Sequence, residues 1–150
     1  MKAVPETIAA MNRIDWVPVD ILSNIILDLA DLSKPSSAPA SSIQTPFYHL
    51  VNPTSITWST ISPILTAQIG ADCKIVSWDE WVALLRKSAE RGEIAQNRGI
   101  KLLEFYEALG MGAPLALMET EKTIQKSETL RNTEPVNGSW MELWMRQWAA

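Results

Sequence analysis

The chain has 150 residues, 47% of them hydrophobic, and a formal net charge of −4. That length and apolar content suffice for one packed core and exclude wholesale disorder, while the acidic balance argues against a nucleic-acid binder, which needs a basic face to meet phosphates. Cys73 and His49 are each the sole residue of their type, which excludes an internal disulfide and any metal site built from several His or Cys ligands.

Residues 1–15 carry Lys2, Glu6, Arg13 and Asp15 and do not read as a signal peptide. No window of 18 apolar residues occurs, so no membrane span or membrane partner is expected and the expected compartment is the cytosol. Arg13 to Val19 reads as extended, with Pro18 confining it to a strand end or edge. Asp20 is placed to cap a helix in which Ile21, Leu22, Ile25, Ile26, Leu29 and Leu32 recur at helical spacing. Residues 33–46 hold five Ser and three Pro and read as an exposed loop. Phe47 to Asn52 is a short β-prone run stopped by Pro53.

Thr57 is placed to cap a second helix ending at Ile69, with Gly70 as its stop. Pro63 inside it predicts a kink. Cys73 to Ser77 reads as a strand. Ser77 and Glu80 form a capping box for a third helix, which carries Trp78, Trp81, Val82 and Leu85 on one stripe. A fourth helix is expected from Arg98 to Leu109, capped by Asn97 and stopped by Gly110. A helical turn or two follows between Thr123 and Leu130. The last helix repeats the capping box at Ser139 and Glu142 and sets Trp140, Trp144 and Trp148 four apart. The expected class is α+β and mostly helical, with five to six helices and two or three short strands.

Chemistry-bearing motifs are sparse. Gly110 and Gly112 are the only close glycine pair, and they follow a helix where a dinucleotide loop follows a strand. They read as a helix stop. No Tyr is followed by a Lys four residues on, and neither a nucleophile elbow nor a Walker loop occurs. Asp79 with Glu80 reads as a helix start. Glu104 with Glu107 reads as a solvated helix face. His49 has no acidic neighbour in sequence to back it as a general base, and Cys73 reads as a small buried hydrophobe. The seven Trp have two readings: core for most, and for Trp140, Trp144 and Trp148 also a face that packs on something outside the chain.

Several runs carry a likeness to a known family. They are Asp15-Trp16-Val17-Pro18-Val19-Asp20, then Phe47-Tyr48-His49-Leu50-Val51-Asn52-Pro53 with Thr57-Trp58. Val76-Ser77-Trp78-Asp79-Glu80-Trp81 and Lys101-Leu102-Leu103-Glu104-Phe105-Tyr106-Glu107 follow. Thr120-Glu121-Lys122-Thr123, Ser127, Leu130 and Trp144-Met145-Arg146-Gln147-Trp148 close the series. In this order the chain resembles the C-terminal, substrate-binding part of the thioester reductase domains, in their fungal form, of polyketide synthases, non-ribosomal peptide synthetases and aminoadipate-reductase-like enzymes.

The resemblance implies the C-terminal lobe of an extended short-chain dehydrogenase, without its Rossmann half. In the parent enzyme it implies NADPH, held by that half together with the catalytic Ser/Thr, Tyr and Lys. The reaction implied is reduction of a carrier-bound thioester to an aldehyde or alcohol. None of these catalytic or cofactor positions carries over. The expectation is therefore a single lobe over residues 1–150 that binds no cofactor or metal and does not catalyse by itself. Its implied partners are the Rossmann half, an acyl- or peptidyl-carrier domain with its phosphopantetheine arm, and further copies of itself. The substrate-facing positions implied are His49, Asn52, Pro53 and Trp58, with Trp140, Trp144 and Trp148 as a possible interface. The rival readings are a stand-alone helical module that docks a carrier or partner domain, and a small α+β protein of unrelated role.

Overall fold

A computed structural model describes residues 2–30, 46–112 and 116–148. Most of the Ser/Pro-rich loop expected at 33–46 lies outside the described residues, as does Leu32. Among the described residues the chain forms seven α-helices and four strands of two to four residues, a mostly helical α+β fold. Its contacts divide it into two compact units.

The first unit comprises Met1–Ile14, Ile56–Ala116 and Asn137–Ala150. Strand β1 (Lys2–Pro5) pairs in parallel with β4 (Cys73–Val76), Val4 opposite Ile75. Glu6 N–H extends the ladder to the Val76 carbonyl at 2.8 Å. Val4, Cys73 and Val76 are buried, so the lone cysteine is packed in a strand. β1 was not foreseen. Four residues, of which the consecutive Val4 and Pro5 are the buried ones, carry no alternating pattern, and only the distant β4 makes them a strand. A second pair joins β2 (Arg13–Ile14) to β3 (Ile56–Thr57), antiparallel. The extended run foreseen at Arg13 to Val19 is thus strand for its first two residues only.

Helix α2 (Trp58–Ile69) has the expected bounds. It ends on Gly70 at φ 111°, a left-handed backbone that favours glycine. The Thr57 hydroxyl does not cap it. That hydroxyl lies 2.8 Å from Ser59 Oγ and 3.2 Å from Thr60 Oγ1. Helix α3 (Trp78–Glu90) opens on the predicted cap, Ser77 Oγ accepting from Glu80 N–H at 3.2 Å. The expected fourth helix is a 3-10 stretch, Arg98–Leu102, followed by α4 (Leu103–Met111). Asn97 makes no side-chain cap, and its amide Nδ2 donates to Ser88 Oγ at 3.3 Å. Gly110 does not stop α4 but lies within it, and Gly112 follows the last turn.

Helix α7 (Gly138–Trp148) starts earlier than foreseen. Asn137 Oδ1 accepts from Trp140 N–H at 3.1 Å, so Asn137 serves the helix start in place of Ser139. Asn is as good a cap as Ser. α7 packs on α2, burying Met141 with Ile61 and Leu65. Each such side chain contributes about 1.5–3 kcal/mol by burial. α2 also covers both strands of the β1–β4 pair.

The second unit comprises Asp15–Ser55 and Leu117–Val136. Its helices are α1 (Val19–Leu29), α5 (Glu121–Lys126) and α6 (Glu128–Arg131). Pro18, not Asp20, is the residue before the first turn of α1, and Asp20 sits inside that turn. There its carboxylate complements the helix dipole. Ser127 splits the helical stretch foreseen at Thr123 to Leu130 into two. Its extended backbone ends α5, and its Oγ accepts from Leu130 N–H at 3.0 Å to cap α6. The same hydroxyl donates to Asp28 Oδ2 of α1 at 2.7 Å, and Thr129 N–H donates to that oxygen at 3.0 Å. Ile25 and Leu130 are fully buried.

No helix among the described residues is long and apolar enough to cross a membrane.

Candidate functional site

The positions implied by the resemblance fall in both units. His49, Asn52 and Pro53 lie in the second, and Trp58 in the first.

In the second unit the run Phe47 to Asn52 is not a strand. Its residues favour β structure, but among the described residues no partner strand meets them. The segment is fixed instead by side-chain bonds and one main-chain bond. Asn52 is fully buried. Its Nδ2 donates to the Glu134 carbonyl at 2.7 Å, and its Oδ1 accepts from Thr54 N–H at 2.9 Å. Its backbone N–H donates to the Asp15 carbonyl at 2.8 Å. Asn52 therefore ties three stretches of chain and turns the backbone at Pro53.

His49 is held at two points. Thr123 Oγ1, fully buried on α5, donates to the His49 carbonyl at 3.0 Å. The His49 ring places Nδ1 2.8 Å from the Glu119 carbonyl. A carbonyl only accepts, so Nδ1 carries the proton and Nε2 of the neutral ring is left as an acceptor. The imidazole lies beside a cavity of about 410 Å³ lined by Phe47, His49, Glu119, Glu121 and Lys122. Phe47 is 80% exposed and supplies an apolar wall. Lys122 supplies an ammonium, and Glu119 and Glu121 supply carboxylates.

This set can receive an amide- or hydroxyl-bearing chain with an apolar portion. The orienting partner of His49 is a backbone carbonyl, so the ring is positioned without the acidic support that a catalytic His commonly has. Sequence reasoning found His49 but missed Glu119, Lys122 and Thr123 as its neighbours. Two of them stand in the quoted run Thr120-Glu121-Lys122-Thr123, and the fold brings that run to Phe47-Tyr48-His49.

In the first unit Trp58 Nε1 donates to the Pro5 carbonyl at 2.7 Å, and its N–H donates to the Asn12 carbonyl at 3.0 Å. Its side chain lines a cavity with those of Trp78, Trp81, Phe105 and Tyr106. Trp78 and Trp81 stack at 5.4 Å between centroids, and Tyr106 meets Trp81 edge-on at 5.0 Å. Such offset and edge-on geometries suit the ring quadrupoles.

Of the terminal Trp face, Trp140 and Trp144 are half-buried with centroids 6.2 Å apart, while Trp148 is 68% exposed.

The carboxylate pairs take ordinary places. Glu107 pairs with Arg86 at the surface, and Asp79 and Glu80 occupy the first turn of α3. Among the described residues no group of three or more His, Cys, Asp or Glu is placed to hold a metal.

The close glycine pair does not form a phosphate cradle. Gly110 is helical, and the Trp78 indole fills the space where its Cβ would stand. This pair does not fit the pyrophosphate of a dinucleotide, which needs open backbone N–H groups at a helix start.

No family model matches the chain. It is similar to a carboxylic acid reductase of Neurospora crassa, 30% identical over 97% of this chain and 14% of that protein. It is also similar to a non-reducing polyketide synthase of Aspergillus terreus, 26% identical over 99% of this chain and 6% of that protein. A third relative, 3-methylorcinaldehyde synthase of a Phoma species, is 26% identical over 99% of this chain and 6% of that protein. The chain thus spans 14% or less of the length of these relatives. The likeness covers nearly all of the chain and falls on reductases and polyketide synthases, which bears out the resemblance read from the sequence.

Proposed function

We propose that the chain is the substrate- and carrier-binding lobe of an NADPH-dependent thioester reductase that releases a carrier-bound polyketide or peptide as an aldehyde or alcohol. The observation that carries this reading is the His49 cavity. It is assembled from two of the runs that bear the family likeness, and it offers an oriented acceptor, an ammonium and an apolar wall.

A phosphopantetheine arm has matching chemistry: amide groups along the chain, a phosphate at one end and an acyl thioester at the other. Lys122 meets anionic charge, His49 Nε2 accepts from an amide N–H, and Phe47 covers the methylenes. Asn52 and Pro53 act by setting the backbone from which His49 projects. The relatives named a carboxylic acid reductase and an aldehyde synthase support the reaction class. By this reading the hydride donor is bound by the Rossmann half, and this chain alone reduces nothing.

Titration of the full chain with S-acetyl-pantetheine, followed by amide chemical shifts, tests the reading. Saturable shifts at residues 47–52 and 119–123 are expected. A titration that leaves both stretches unmoved overturns it.

A further inference from the structure

Five aromatic side chains of the first unit, Trp58, Trp78, Trp81, Phe105 and Tyr106, wall one cavity of about 320 Å³. Core packing would close such a cluster, yet all five rings keep part of their surface exposed. Ile8, Met11 and Leu109 continue the wall, and no charged residue lines it. We propose that this cavity is a binding site for a small, neutral, planar aromatic molecule of one or two rings.

Four observations carry the proposal. The volume stands at the low end of the about 300–1,000 Å³ range of small-molecule sites, which fits one or two rings. The lining has nothing to pair with a charge, and an unpaired charge taken from water into it is costly. The rings are fixed before any ligand arrives. Trp58 is tethered through Nε1 to the Pro5 carbonyl, Trp78 stacks on Trp81, and Tyr106 stands edge-on to both at 6.1 and 5.0 Å. A prebuilt wall spares the ordering cost of binding. It also offers faces and edges at right angles, the two contacts a planar ring accepts. A flexible aliphatic chain of equal volume would lose rotamer freedom on entry.

The inference goes beyond the reading above and does not rest on it. The lining of this cavity belongs to the first unit and that of the His49 site to the second, with no residue in common, so each proposal fails on its own experiment.

The test is a titration of the full chain with naphthalene, read by ring-current shifts of the Ile8, Met11 and Leu109 methyl groups. Saturable shifts are expected. Leu109→Trp, which fills the cavity, is expected to weaken binding by at least about tenfold. Met11→Trp serves as the second plug if the first variant loses its dispersed spectrum. Naphthalene-2-sulfonate is expected to bind at least about tenfold more weakly than naphthalene. Shifts linear in naphthalene, or shifts that persist in a folded plugged variant, overturn the proposal and leave the cavity as a seat for another protein surface. Equal binding of the sulfonate overturns the neutral ligand class.

Discussion

The Asn52 side-chain amide donates to the Glu134 carbonyl at 2.7 Å, across 82 positions of sequence. The contact is a structural tie. Asn52 is fully buried and also holds Thr54 N–H, so Asn52→Ala leaves an acceptor and a donor without their partner. The expected loss is about 1–3 kcal/mol, read as a lower urea midpoint. Asn52→Asp sets one acceptor against another and is expected to cost more than the alanine variant at neutral pH. A neutral result for both would show that the tie contributes nothing.

Gly110 and Trp78 give the second prediction. Gly→Ala inside a helix ordinarily gains up to about 1 kcal/mol. Here a Cβ on Gly110 would meet Trp78 Nε1 at 2.7 Å, so the indole or α4 must move. Gly110→Ala is expected to destabilise by about 1–3 kcal/mol and to shift tryptophan emission. A stabilised Gly110→Ala variant would contradict this packing.

How much of this was legible in the sequence depends on the range of the cause. Local signals held: Ser77 caps α3, and α2 runs from Trp58 to Ile69 and ends at Gly70. Elements that need a distant partner did not. β1 exists only through β4, and Phe47 to Asn52 has β-prone residues without a strand to pair with among the described residues. Competition between neighbours was also hidden, as where Asn137 takes the cap position expected of Ser139. Gly110 looked like a stop because its reason for being glycine lies on another helix. For the candidate site, His49 was found, but its carbonyl partner at Glu119 lies 70 residues away, beyond any local pattern.

Cofactor binding gives the third prediction. The only close glycine pair is consumed by α4 and its contact with Trp78. Titration of NADPH into the full chain, followed by nicotinamide fluorescence, is expected to show no saturable binding in the micromolar range. A micromolar dissociation constant would contradict assignment of the chain to the substrate side of the reductase.

The terminal Trp face gives the fourth. Trp148 is 68% exposed on α7, a large apolar side chain of a type enriched at contact sites. The chain is expected to self-associate with rising concentration in sedimentation velocity, and Trp148→Ser is expected to reduce this. Strictly monomeric behaviour of the unaltered chain would count against an interface there.

The central claim is that the His49 cavity receives the phosphopantetheine arm of an acyl-loaded carrier. The most direct measurement is amide chemical-shift mapping of the full chain against an acyl-loaded carrier domain, repeated with His49→Ala. The account predicts shifts centred on residues 47–53 and 119–123, with affinity at least about tenfold weaker in the variant. A loaded carrier that leaves those residues silent, or binds the variant equally well, would contradict it.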